Sequence, residues 1–109
     1  MNDHLFKDIE SLFQPDIGNH TDVILAANQL ALQGLAGGWT KEQLVNEAVR
    51  SDRASYGTTA AAVALILYHS ELGLPLIEAV LETAFELPML FPGDDRYKQL
   101  ADKLKKIID

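Results

Sequence analysis

The sequence predicts an all-α fold, a compact single-domain bundle of five to six short helices. Three observations carry that reading. Apolar residues recur at helical three- and four-residue spacing. Glycine- and proline-rich stretches punctuate the chain between those segments. No segment alternates polar and apolar residues long enough to make a strand, although Ile66–Leu67–Tyr68 has local strand propensity. The length of 109 residues suits one core, and 48% hydrophobic with 23% charged residues is ordinary globular usage.

The first predicted helix runs from about Asp3 to Phe13, with Leu5, Phe6, Ile9, Leu12 and Phe13 as its apolar stripe. Pro15 and Gly18 end it. A second begins after Thr21, a capping residue, and continues to about Leu35 with apolar residues nearly all round, which suggests more than one packing neighbour. Gly34, Gly37 and Gly38 let the chain turn. The following WTKEQL is the clearest local signature: Thr40 and Gln43 form a capping box, Trp39 staples to Leu44, and a third helix starts at Lys41. That helix turns Leu44, Val45, Ala48 and Val49 inward and Glu42, Asn46, Glu47 and Arg50 outward.

A fourth helix, Thr59 to about Leu72, has almost no polar residue before His69. Its alanines at 60, 61, 62 and 64 admit close neighbours, so it belongs at the centre of the bundle. Gly73 stops it and Pro75 opens the first turn of a fifth. The fifth is expected to bury Leu76, Ile77, Val80, Leu81, Ala84 and Phe85, with Pro88 and Pro92–Gly93 closing it. A sixth, from Asp94 or Asp95, packs Tyr97, Leu100, Ala101, Leu104, Ile107 and Ile108. Acids at its start and Lys103, Lys105 and Lys106 near its end suit the helix dipole. The even spacing of short helices is superficially similar to a helical-repeat protein, but no fixed period is present.

Charge narrows the choice of partner. Sixteen acidic residues against nine basic ones give a net charge of −7, which disfavours nucleic acid or an anionic membrane as the main partner and favours a basic protein. Between Arg53 and Arg96 there is no lysine or arginine, while Glu78, Glu82 and Glu86 repeat every four residues through the fifth helix. Like charges at that spacing cost an isolated helix about 0.2–0.5 kcal/mol per pair, so the row calls for solvent or a cationic partner.

The remaining chemistry is sparse. With no cysteine, disulfides, thiolate metal sites and cysteine nucleophiles are excluded. The N-terminal MNDHLFKDIESLF lacks the basic start and apolar core of a secretory signal, and Ala60–Tyr68 is too short to span a bilayer, so a cytoplasmic location is expected. His4, His20 and His69 are far apart and none follows a glutamate in a Glu-x-x-His motif. His69 is expected at a helix end, bonded to a carbonyl; a proton-carrier role is the alternative reading. GLAGG lacks the Lys–Ser/Thr and preceding strand of a phosphate loop. No catalytic, cofactor or metal residues are assigned.

The sequence therefore predicts a non-enzymatic acidic protein-binding module that needs no cofactor. One concrete form is an inhibitor or immunity-type protein that neutralises a basic, nucleic-acid-acting partner. Glu78, Glu82 and Glu86 would supply attraction, Met89 and Phe91 the apolar contact beside them, and Trp39 an aromatic anchor. Three other readings compete, of which a small enzyme would need a concave pocket joining distant groups such as His69 and a carboxylate from another helix, with no independent sign of one in the sequence. The second and third helices have the outline of a helix-turn-helix, in which Lys41, Gln43, Asn46 and Arg50 would meet DNA, against the repulsion of Glu42 and Glu47. Alternatively, an uncovered apolar face would make the chain an assembly subunit that self-associates.

Overall fold

The alanine-rich apolar segment organises the molecule. In the computed structural model, which describes residues 21–50 and 58–108, five helices surround one another with no sheet: α1 (Thr21–Gly37), α2 (Lys41–Arg50), α3 (Thr58–Glu71), α4 (Leu76–Leu90) and α5 (Asp95–Ile108). The first predicted helix, His4 and His20, the Arg53 segment, the Thr21 cap and the packing of Ile107 and Ile108 lie outside the described residues or side chains.

Every residue of α3 from Thr59 to Leu67 is buried. Nine consecutive positions at about 100° per residue cover the whole circumference of a helix, so α3 has no solvent face there. It packs against α1 and α2 on one hand and α4 on the other, with α5 reaching it more lightly and lying mainly on α4. The all-apolar sequence is thus explained by position, since a helix enclosed by neighbours has no face on which to keep polar residues. The core joins Ile24, Ala27 and Ala31 of α1, Leu44, Val45 and Ala48 of α2, the length of α3, and Tyr97, Leu100, Ala101 and Leu104 of α5.

The connections follow the local chemistry. Gly38 has φ +69° and Trp39 donates its N–H to the Gly34 carbonyl at 2.9 Å, closing α1 in a Schellman turn. The capping box of α2 is present in both directions: the Gln43 N–H donates to Thr40 Oγ1 at 3.1 Å, and the Thr40 N–H donates to Gln43 Oε1 at 2.8 Å. A second Schellman turn ends α3, with Gly73 at φ +101° and the Leu74 N–H on the His69 carbonyl at 3.1 Å. Asp94 caps α5 by accepting the Arg96 N–H at 3.0 Å.

Four expectations need correction. Pro88 does not close α4: the helix continues through it to Leu90 and ends when the Phe91 N–H bonds the Leu87 carbonyl. Proline within its last turns removes only the one donor that would have met the Ala84 carbonyl. Pro75 precedes α4 as its cap residue instead of lying in its first turn. On α4 the buried face is Ala79, Val80, Thr83, Ala84 and Leu87, whereas Ile77 and Phe85 are exposed. Val49, expected inward on α2, is also exposed. In α4 the small residues Ala79, Thr83 and Ala84 face inward, where they allow close helix approach, and Thr83 Oγ1 satisfies itself on the Ala79 carbonyl at 2.8 Å.

Candidate interaction surface on α4

The three glutamates of α4 do not share one environment. A step of four residues advances about 40° around a helix, so from Glu78 to Glu86 the row turns by about 80°. Glu78 and Glu82 remain exposed, while Glu86 arrives at the margin of the buried face. There its carboxylate joins three helices. Glu86 Oε2 accepts from Lys41 Nζ of α2, and Glu86 Oε1 contacts His69 Nε2 of α3. An ionised carboxylate only accepts, so His69 Nε2 carries the proton in this contact.

His69 is 5% exposed, and the Tyr68 ring meets it edge-on at 5.4 Å between centroids. It is therefore a buried donor to a carboxylate, and the expected carbonyl bond from its ring is not the contact it makes. Lys41 is the first residue of α2, where the helix dipole disfavours a cation; the Glu86 carboxylate offsets that placement. Among the described residues no buried side-chain nitrogen or oxygen is left without a partner. The trio was invisible in the sequence because its members lie 17 and 45 residues apart.

Glu78 and Glu82 stand differently. Among the described residues neither makes an ion pair. Beside them runs an apolar row at the same four-residue interval: Ile77, Leu81, Phe85 and Met89. Ile77 is 62% exposed, Phe85 58% and Met89 77%, with Leu81 half-buried. Lys105 of α5 lies 5.4 Å from the centroid of the Phe85 ring, a cation–π contact at the edge of the row. The outer face of α4 is consequently an apolar strip flanked by two carboxylates that are unpaired among the described residues.

The other predicted anchors are packed in part. Phe91 stacks on Tyr97 with ring centroids 4.6 Å apart and an 18° interplanar angle, holding the α4–α5 connection to the core. Burial raises the Tyr97 phenol above its ordinary pKa. Trp39 is half-buried against α1: a Cβ added at Gly34 would meet Trp39 Cε3 at 3.1 Å, and one at Gly37 would meet Trp39 Nε1 at 3.2 Å. Its remaining surface lines a shallow depression with Gln43, Asn46 and Glu47. Of the residues considered for DNA contact, Lys41 is bound to Glu86, and Arg50 donates to Glu47 at 2.7 Å on its own helix.

Among the described residues no group of three histidines or carboxylates is placed to hold a metal ion, and no helix is long and apolar enough to cross a membrane. Comparison with protein-family models, curated proteins and solved structures finds no match.

Proposed function

We propose that this chain is an acidic protein-binding module that acts by contact rather than catalysis and covers a cationic surface on its partner. The single observation that supports this most is the outer face of α4, where Glu78 and Glu82 are exposed, and unpaired among the described residues, beside exposed apolar side chains. Carboxylates in that setting steer a basic partner during encounter, and the neighbouring apolar side chains give the contact a core that charge alone does not provide. A basic nucleic-acid enzyme is the partner class we favour, with inhibition as the outcome, because such enzymes must present cationic grooves to phosphate. Glu86 leaves the recognition set in this reading and becomes the tie that holds α4 in place.

The test uses the Glu78→Gln, Glu82→Gln double variant, which removes two charges without touching the Lys41–Glu86–His69 trio. Capture from host lysate at low salt, followed by reconstitution with the purified partner, is expected to give a basic nucleic-acid enzyme whose activity falls on adding the protein. The double variant is expected to associate more slowly and with weaker salt dependence. Equal association rates for both proteins would remove this face from the reading, and a captured enzyme that keeps full activity would remove inhibition.

A further inference from the structure

Resting on the acidic-surface reading above, we infer that the outer face of α4 seats a basic amphipathic helix, whose apolar stripe lies on Ile77, Leu81, Phe85 and Met89 and whose lysines or arginines reach Glu78 and Glu82. Three features of the face specify that occupant. The apolar side chains recur every four residues and form a ridge that turns by about 120° around α4 from Ile77 to Met89, the kind of ridge that seats in the groove of a second helix crossing at an angle. Ile77, Phe85 and Met89 are each more than half exposed, so the row is open to a partner approaching from outside the bundle. The carboxylates lie along one flank only, since Glu78 and Glu82 each follow an apolar member of the row by one residue.

Lys105 of α5 lies over the Phe85 ring, 5.4 Å from its centroid, so a docked helix meets a lysine at that member of the row as well as the two acids. The seat accordingly favours an incoming helix whose basic side faces Glu78 and Glu82 and whose contact at Phe85 carries no cation. Position on α4 also favours recognition, because the helix is fixed from behind by Glu86 and by Phe91 on Tyr97. Little reorganisation is then needed on docking.

The probe is a synthetic peptide of about 15 residues, matching the ~22 Å length of α4, with leucines at i, i+4 and i+8 and lysines on one flank. A peptide of identical composition in scrambled order serves as its partner control. Binding is followed by backbone amide shifts of the full chain, for the wild type, Ile77→Ser/Phe85→Ser, Glu78→Gln/Glu82→Gln, and a control carrying Leu32→Ser and Val49→Ser. The patterned peptide is expected to shift amides from Ile77 to Met89. Each α4 double variant is expected to weaken it at least tenfold, with the control unchanged and the scrambled peptide bound at least tenfold more weakly. Should Ile77→Ser/Phe85→Ser unfold, the single Met89→Ser variant asks the same question from the most exposed position.

Equal binding of both peptides, undiminished by Ile77→Ser/Phe85→Ser, would overturn the helix seat and leave the acidic surface standing as a charge-only site. Failure of both peptides to bind at low salt would overturn the acidic-surface reading as well. Concentration-dependent light scattering abolished by Ile77→Ser/Phe85→Ser would instead assign the face to a second copy of this chain, again overturning the basic-helix occupant.

Discussion

Glutamates at 78, 82 and 86 look alike in sequence and differ in work. Removing Glu86 leaves the buried His69 donor without its acceptor and Lys41 without its counter-ion; removing Glu78 or Glu82 leaves solvent in their place. Glu86→Ala is therefore expected to lower stability by about 1–3 kcal/mol, with the Lys41 part at the small end because that side chain is a third exposed. Glu78→Ala and Glu82→Ala are expected to stay within about 0.5 kcal/mol of wild type in urea unfolding. Equal losses at all three positions would refute the division between structural and recognition carboxylates. A second residue-scale expectation concerns acid. Arg96 donates Nε and Nη2 to Asp94 at 3.0 and 2.7 Å, and those bonds hold the Asp94 carboxyl below its ordinary pKa. A carboxyl depressed in the folded state favours folding above its unfolded pKa, and the contribution is lost as pH falls through the depressed value. Asp94→Asn should accordingly lower the urea midpoint at neutral and alkaline pH and flatten its acid limb, so that the two proteins converge at low pH.

Local chemistry accounts for the helices, and it does so best at their ends. The Thr40–Gln43 box satisfies donors that α2 would otherwise leave open, so Thr40→Ala is expected to cost about 1 kcal/mol. Gly38 and Gly73 hold positive φ, and alanine at either is expected to cost about 1–2 kcal/mol; thermal unfolding of the two variants reads both. These ends were legible because a capping box or a Schellman glycine is determined by residues within one turn. The facing of α4 was not. Hydrophobicity alone pointed Ile77 and Phe85 inward, yet the helix buries Ala79, Thr83 and Ala84, since close approach to α3 selects small side chains over large ones. The choice depends on what the neighbour presents, which a single segment does not encode. The Lys41–Glu86–His69 trio was hidden for the same reason, although the 40° drift of the glutamate row already carried Glu86 away from the axis of Glu78. With the facing of α4 went part of the candidate site: sequence alone puts Ile77, Leu81 and Phe85 in the core, whereas Glu78, Glu82 and Met89 are legible as surface.

At the scale of the whole molecule, α3 is the element through which the two helix pairs are joined. α1 and α2 pack on one part of its circumference and α4, backed by α5, on another. Neither pair can keep its apolar face covered if α3 leaves, so unfolding should be cooperative, and the amides of Val63 to Leu67 should exchange only through global opening. Their exchange free energies are expected to equal the urea value extrapolated to water, whereas the outer turns of α2 and α5 exchange at lower cost. The fully enclosed Ala62 gives a mutational form of the same argument. Leucine there has no solvent direction in which to relieve itself and is expected to destabilise by about 1–3 kcal/mol. It should also shift resonances in both helix pairs, because close-packed surroundings transmit the displacement. Exchange of α3 at a free energy well below the global value, with the α1–α2 pair still protected, would show that the α4–α5 pair opens independently. The rigid seat inferred on α4 would then lose its support, because a face that opens separately from the bundle would have to be ordered on each encounter, at a cost in affinity that the apolar row and two carboxylates must first offset.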